Sequence, residues 1–132
     1  MSLSNAVFKT GASWAPTGGT DMTLAPDGRV VKNGLSLVVS ADSNLLTRRG
    51  FVFTATLPAM PASPGAYAKL ARNSVVHRIP FVAADGKLYI QSIRVEGAFH
   101  SEYTGKNTAY NDVAALVSDS DFSGFWQSSL LV

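Results

Sequence analysis

The chain has 132 residues, a hydrophobic share of 46%, a charged share of 15% and a formal net charge of +2. That length suits one domain, and that apolar share excludes wholesale disorder. The absence of cysteine excludes disulfides, thiol nucleophiles and cysteine-ligated zinc, and two histidines, His77 and His100, leave little for a histidine-based metal site.

The charged share is low against a usual value of about 25%, as in a chain that covers part of its surface with partners. Its distribution is uneven. Residues 1–42 balance to zero. Residues 43–95 hold Arg48, Arg49, Lys69, Arg72, Arg78, Lys87 and Arg94 against Asp85 alone, while residues 96–132 hold Lys106 against Glu96, Glu102, Asp112, Asp119 and Asp121. A basic middle beside an acidic end suggests a polyanion-facing surface and a second surface with another task. No apolar run approaches the roughly 18–20 residues that span a bilayer. The start, Met1 to Asn5, lacks the pattern of a secretion signal, so the expected compartment is cytoplasmic.

In chain order, Ala6–Thr10 and Asp21–Ala25 read as short strands. The link between them holds Pro16 and Gly18-Gly19, which suits a long hairpin turn. Pro26-Asp27-Gly28 and Lys32-Asn33-Gly34 mark turns, because Asn-Gly and Asp-Gly steps tolerate positive φ. Leu35–Ala41 is β-rich. The clearest alternation follows, with Arg49, Phe51, Phe53, Ala55 and Leu57 on one strand face and Arg48, Gly50, Val52, Thr54 and Thr56 on the other.

Pro58, Pro61 and Pro64 make the next stretch a loop. Tyr67–Val82 reads as extended but interrupted near Asn73-Ser74, with Val75, His77 and Ile79 opposing Ser74, Val76 and Arg78. Asp85-Gly86 reads as a tight hairpin turn into a long strand, Lys87–His100, in which Ile93 and Val95 oppose Ser92, Arg94 and Glu96.

The period then changes. From Asn107 or Thr108 as N-cap, Tyr110, Val113, Leu116 and Val117 form a helical stripe. Ser118–Asp121 breaks it and caps a second helix bearing Phe122, Phe125, Trp126 and Leu130. Strands followed by two helices predict an α+β domain over 1–132, divided into a hairpin at 1–26, a main sheet at 35–100 and helices at 107–132.

Catalytic signals are thin. His100, Glu102 and a serine permit a hydrolase to be drawn, but no Gly-x-Ser-x-Gly elbow or phosphate-binding glycine loop accompanies them. His77, between Val75 and Ile79, reads better as a satisfied core or interface histidine. Asp119 and Asp121 read better as helix caps than as a metal site. No cofactor or metal is implied.

The polar strand face carries more. If the long strands are neighbours, Arg48, Thr54, Thr56, Ser74, Arg78, Ser92 and Arg94 point one way, with Arg72 joining if its strand runs through Asn73. Arginines among small hydroxyls suit RNA, with Tyr67 or Tyr89 as a stacking platform nearby, although a plain solvated face has similar composition and Glu96 counts against RNA.

Two segments carry a resemblance. Gly18-Gly19-Thr20-Asp21-Met22-Thr23-Leu24-Ala25-Pro26, and the run Asn111–Phe122 followed by Phe125-Trp126, resemble the coat proteins of single-stranded RNA bacteriophages, the leviviruses and their like. The resemblance implies an N-terminal β-hairpin, a five-stranded antiparallel sheet and two C-terminal helices exchanged in a homodimer. In that family dimers assemble into an icosahedral shell around single-stranded RNA, with no membrane, in the host cytoplasm and then in the virion. It implies dimer packing through Val113, Leu116, Phe122, Phe125 and Trp126. By strand parity it implies RNA contacts at Arg48, Thr54, Thr56, Ser74, Arg78 and Arg94, with binding of a translation-repressing RNA hairpin on the same face. The chain departs from better-known members in its short turn at Ala84–Gly86 and its proline-rich linker at 58–65. A non-viral cytoplasmic RNA-binding dimer and a small hydrolase stand as the alternative readings.

Overall fold

A computed structural model describes residues 7–10, 20–57, 70–100, 102–118 and 122–129. Six strands come first: β1 (Val7–Thr10), β2 (Thr20–Pro26), β3 (Gly34–Val39), β4 (Gly50–Thr56), β5 (Ala71–Val82) and β6 (Leu88–Phe99). Two helices follow, α1 (Lys106–Ser118) and α2 (Ser123–Ser128). The strands lie in the sheet in chain order, and each neighbouring pair from β2 to β6 is antiparallel. This is the expected α+β layout: β1 beside β2, a five-stranded antiparallel sheet from β2 to β6, and two C-terminal helices. The residues linking β1 to β2, the proline-rich linker, Tyr67, Asp119, Asp121 and Leu130 lie outside the described residues.

The turns follow local chemistry. Asp27 accepts from Arg29 N at 2.8 Å and from Ser36 Oγ at 2.6 Å, which closes the β2–β3 connection around Gly28, whose φ is 81°. Asn33 adopts φ 55°, and Gly34 N donates to Val31 O. At the β5–β6 turn, Gly86 has φ 78° and its N–H donates to Ala83 O. Asp85 there accepts from Lys87 N and from the Tyr89 hydroxyl.

The expected interruption at Asn73-Ser74 does not occur. β5 runs unbroken, because it is flanked on both sides: Asn73 pairs with Ala55 and Gly97, and Ser74 with Thr54 and Glu96. Two ladders of backbone hydrogen bonds outweigh the weak strand preference of two small polar residues. The first helix also begins earlier than expected. α1 starts at Lys106 and Ala109 N donates to Gly105 O, so neither Asn107 nor Thr108 is the cap.

Direct partners in an antiparallel ladder share a face. The register therefore gives the sheet one apolar face, with Leu24, Leu35, Leu37, Val39, Phe51, Phe53, Val75, His77, Val95 and Ile93. Its buried centre is Leu24, Leu37 and Val39, with Met22, Leu35, Phe51 and Phe53 packed against them. Toward β6 the same face opens to solvent: Val95 is 39% exposed and Ile93 is 60% exposed. His77 is satisfied within this face. Its Nδ1–H donates to Gly50 O at 3.1 Å, and its ring stacks on Phe51 with centroids 4.1 Å apart.

The β3–β4 connection is organised by one carboxylate. Asp42 accepts from Arg49 Nε at 2.9 Å, Arg49 Nη2 at 3.0 Å and Arg49 N at 3.0 Å, and Arg48 Nε donates to Asp42 O. The hydrogen-bonded guanidinium holds the Asp42 carboxyl below its usual range. A carboxylate with a depressed folded pKa stabilises the protein above its unfolded pKa of about 3.9 and loses that contribution as pH falls through the lower folded value. Asp42→Asn is expected to cost about 1–2 kcal/mol at neutral pH, discounted for partial solvent exposure. In urea melts across a pH series, the gap between wild type and variant should close as the medium is taken below about pH 4. A gap independent of pH would disprove this role.

The strands from Asp21 to His100 make one compact unit, and the residues from Glu102 onward, with both helices, make another. No residue of α1 is buried. Its C-terminal turn is closed by Ser118 Oγ, which donates to Ala114 O and Ala115 O. In α2 the rings of Phe125 and Trp126 meet edge to face, centroids 4.7 Å apart.

Candidate nucleic-acid interface

The face opposite the core is built by strand parity. Across β4, β5 and β6 the rows are Thr54–Ser74–Glu96, Val52–Val76–Arg94 and Gly50–Arg78–Ser92, with Thr56 opposite Arg72. Thr54, Thr56, Ser74, Arg78 and Arg94 therefore share one side, and Arg72 joins them because β5 continues through Asn73. Ser74 and Thr54 pair through their hydroxyls at 2.6 Å.

The arginines on this side are in different electrostatic states. Arg94 is tied to Glu96, with Nη2 at 2.7 Å and Nε at 3.1 Å from Oε2. Arg72 reaches the other carboxylate oxygen, Nη1 to Oε1, at 3.3 Å. Glu96 is thus shared by two guanidinium groups. Hydrogen bonding from Arg94 and its charge, followed by those of Arg72, hold the carboxyl below its ordinary range. The exposed Arg78 guanidinium has no hydrogen-bond or ion-pair partner among the described residues.

Arg48 differs from its expected place in the row. It precedes β4, is half-buried, and is held by Asp42 O, because the β3–β4 connection folds around that aspartate. From there it lines a concavity of about 350 Å³ on the polar side, together with Arg29, Arg78, Leu46, Pro80, Leu88 and Ile90. Reading strand by strand does not find Arg29 or the aliphatic residues here, since they come from the β2–β3 connection and the far ends of β5 and β6. The only local sign was the Asp27-Gly28 turn, which delivers Arg29. Arg29 lies 3.8 Å from Asp27, whose carboxyl is raised by partial burial but lowered overall by the bonds from Ser36 and Arg29.

Tyr89 is not a stacking platform for this face. It pairs with Phe81, on the apolar side, and its hydroxyl donates to Asp85. Strand parity settles this: Tyr89 and Arg94 are an odd number of residues apart, so they project oppositely. Tyr67 lies outside the described residues. Among the described residues no group of three His, Asp or Glu side chains is placed to hold a metal ion, and no helix is long and apolar enough to cross a membrane.

The side chains expected to pack a dimer are open in the single chain. Val113, Leu116, Phe122, Phe125 and Trp126 are all exposed, Trp126 at 46%. Large apolar side chains also cover both sides of the β5–β6 hairpin near its turn: Val82, Leu88 and Ile90 on the polar side, Phe81 and Tyr89 on the other. A surface this apolar marks contact with other macromolecules.

No protein-family model and no curated protein matches the chain. Solved structures do. A virus-like particle of bacteriophage GQ-907 is similar with TM-score 0.78 and 29% identity, over 96% of this chain and 95% of that one. A virus-like particle of bacteriophage AVE019 gives 0.65 and 11% over 98% and 97%. A virus-like particle of bacteriophage ESE058 gives 0.67 and 15% over 100% and 99%. These last two speak for the fold alone. With its hairpin, meander sheet and paired terminal helices matched from end to end, the chain has a capsid-type fold related to that of bacteriophage virus-like-particle proteins.

Proposed function

We propose that this protein is the structural coat subunit of a single-stranded RNA bacteriophage. Two copies join into a dimer, exchange their C-terminal helices, and assemble further into an icosahedral shell around the RNA genome. The protein is a packing element with no catalytic role, found in the virion after assembly in the host cytoplasm. The observation that carries this reading is the near-complete, 29%-identical likeness to the particle of bacteriophage GQ-907.

Physical features of the chain agree. β6 is the last strand of the sheet and twelve residues long, an edge that a second β6 can extend. The apolar face is most open next to that edge, and both helices carry uncovered apolar stripes. A second copy supplies what each of these surfaces lacks. The opposite face, with Arg48, Thr54, Thr56, Ser74, Arg78 and Arg94, is the RNA side. Arg78, which has no partner among the described residues, meets phosphate there, and hydroxyls meet bases or ribose. A translation-repressing hairpin, where the genome supplies one, docks on this same face.

Negative-stain microscopy of the full chain expressed alone tests the reading, with the nucleic acid content of the purified material measured by absorbance. The expected result is closed particles of uniform size that contain RNA. Soluble dimers that bind RNA but never form particles would replace this reading with that of a non-viral RNA-binding dimer.

A further inference from the structure

We infer that Glu96 is a built-in competitor of phosphate, which holds Arg72 and Arg94 away from RNA and concentrates backbone contact at the Arg78 end of the face. This rests on the reading of that face as an RNA surface. Three contacts carry it. Glu96 Oε2 accepts from Arg94 Nη2 at 2.7 Å and from Nε at 3.1 Å, and Oε1 accepts from Arg72 Nη1 at 3.3 Å. The guanidinium fork that grips a carboxylate is the same fork that grips a phosphate, so the two compete for the same donors.

Along the sheet Glu96 sits between its two arginines, with Arg72 on one side and Arg94, opposite Val76, on the other. Glu96 stands opposite Ser74, and Arg78 stands four residues further along β5, about 13 Å away at the usual strand rise. At one end two cations are matched with one anion. At the other, Arg78 projects with no partner among the described residues, next to the concavity that Arg29 and Arg48 also line. Among the described residues of β4, β5 and β6, a strand of RNA crossing the sheet meets unopposed positive charge at the Arg78 end. To gain Arg94 or Arg72 it must first displace the carboxylate, which lowers affinity for any RNA that offers no more than charge. Exposed ion pairs add little to folding stability, so this arrangement can be removed without dismantling the sheet, and its effect falls on binding.

The test is filter binding of a short oligouridylate to the purified full chain across a salt series. Glu96→Gln keeps the shape and removes the charge. It is expected to tighten binding about tenfold at low salt and to steepen the slope of log K against log salt by about 0.7–1.4, the release of one to two further counterions from a single strand. Glu96→Asp, which keeps the charge, should show no such gain. Arg94→Ala should change affinity less than about twofold in the wild type, where Glu96 already occupies it, yet remove most of the gain in the Glu96→Gln background. Arg78→Ala should weaken binding in both backgrounds.

Unchanged affinity and slope in Glu96→Gln, with a wild type that binds and is weakened by Arg78→Ala, would overturn the role of Glu96 and leave the RNA face standing. That role falls equally if Arg94→Ala weakens the wild type as much as Arg78→Ala does. Absence of binding by both wild type and Glu96→Gln at the lowest salt would overturn the RNA face itself, and the role of Glu96 with it.

Discussion

Deletion of residues 121–132 is expected to abolish particles and to leave a chain that fails to form a stable dimer. The deletion removes Phe122, Phe125 and Trp126, all exposed in the single chain, and with them the edge-to-face pair of Phe125 and Trp126. If these rings remained in water, their loss would change stability by no more than about 0.5 kcal/mol each, as surface substitutions do. If a second copy buries them, each large-to-small change costs about 3–5 kcal/mol of assembly. Trp126→Ala is therefore the sharper single-residue form of the experiment. Light scattering coupled to size exclusion reads the dimer, and microscopy reads the shell. A truncated chain that remains a folded, soluble dimer would remove the exchanged-helix arrangement from the proposal.

The second large effect concerns the sheet itself. Leu37→Ala is expected to destabilise the fold by about 2–5 kcal/mol. Leu37 is fully buried, and around it lie Leu24 and Val39, with Phe51 and Phe53 across β4. Little in a sheet with so few buried side chains can relax into the space left behind. Measured against a total stability of about 5–15 kcal/mol for a domain of this size, the loss is a large fraction. Ile93→Ala serves as the contrast, on the same face but exposed. In dilute, unassembled protein it should change the urea midpoint little, and in the dimer it should weaken assembly. Equal midpoints for wild type and Leu37→Ala would show that the core lies elsewhere.

Both predictions concern apolar surface and differ in who covers it. At β2 and β3 the chain covers its own. At β6, α1 and α2 it leaves residues such as Ile93, Val113 and Trp126 open. A coat subunit has this distribution for a physical reason: surface kept apolar for a neighbour cannot also be spent on the fold of one copy. The low charged share of the sequence is the compositional trace of the same fact.

Much of this was legible residue by residue. Period-two alternation assigned Phe51 and Phe53 to one face and Thr54 and Thr56 to the other, because neighbouring side chains on a strand must point oppositely. Gly28, Asn33 and Gly86 announced turns, because they tolerate the positive φ that those turns require. The three- and four-residue spacing of Tyr110, Val113, Leu116 and Val117, and then of Phe122, Phe125, Trp126 and Leu130, announced two helices. The change from strands to helices gave the fold class. All these signals are local, each carried by a window of a few residues.

The remaining features depend on pairs distant in the chain. The continuity of β5 through Asn73-Ser74 came from two ladders, one to β4 and one to β6, that no short window contains. Arg48 left its expected row because Asp42 captured it from a preceding connection. Glu96 follows Arg94 by two residues on the same strand face, which the sequence shows, but only the register brought it within reach of Arg72, 24 residues away in the chain. Which arginines remain available to a polyanion is a matter of through-space charge. Sequence order sets which face a side chain occupies, but only the pairing of strands sets what stands beside it.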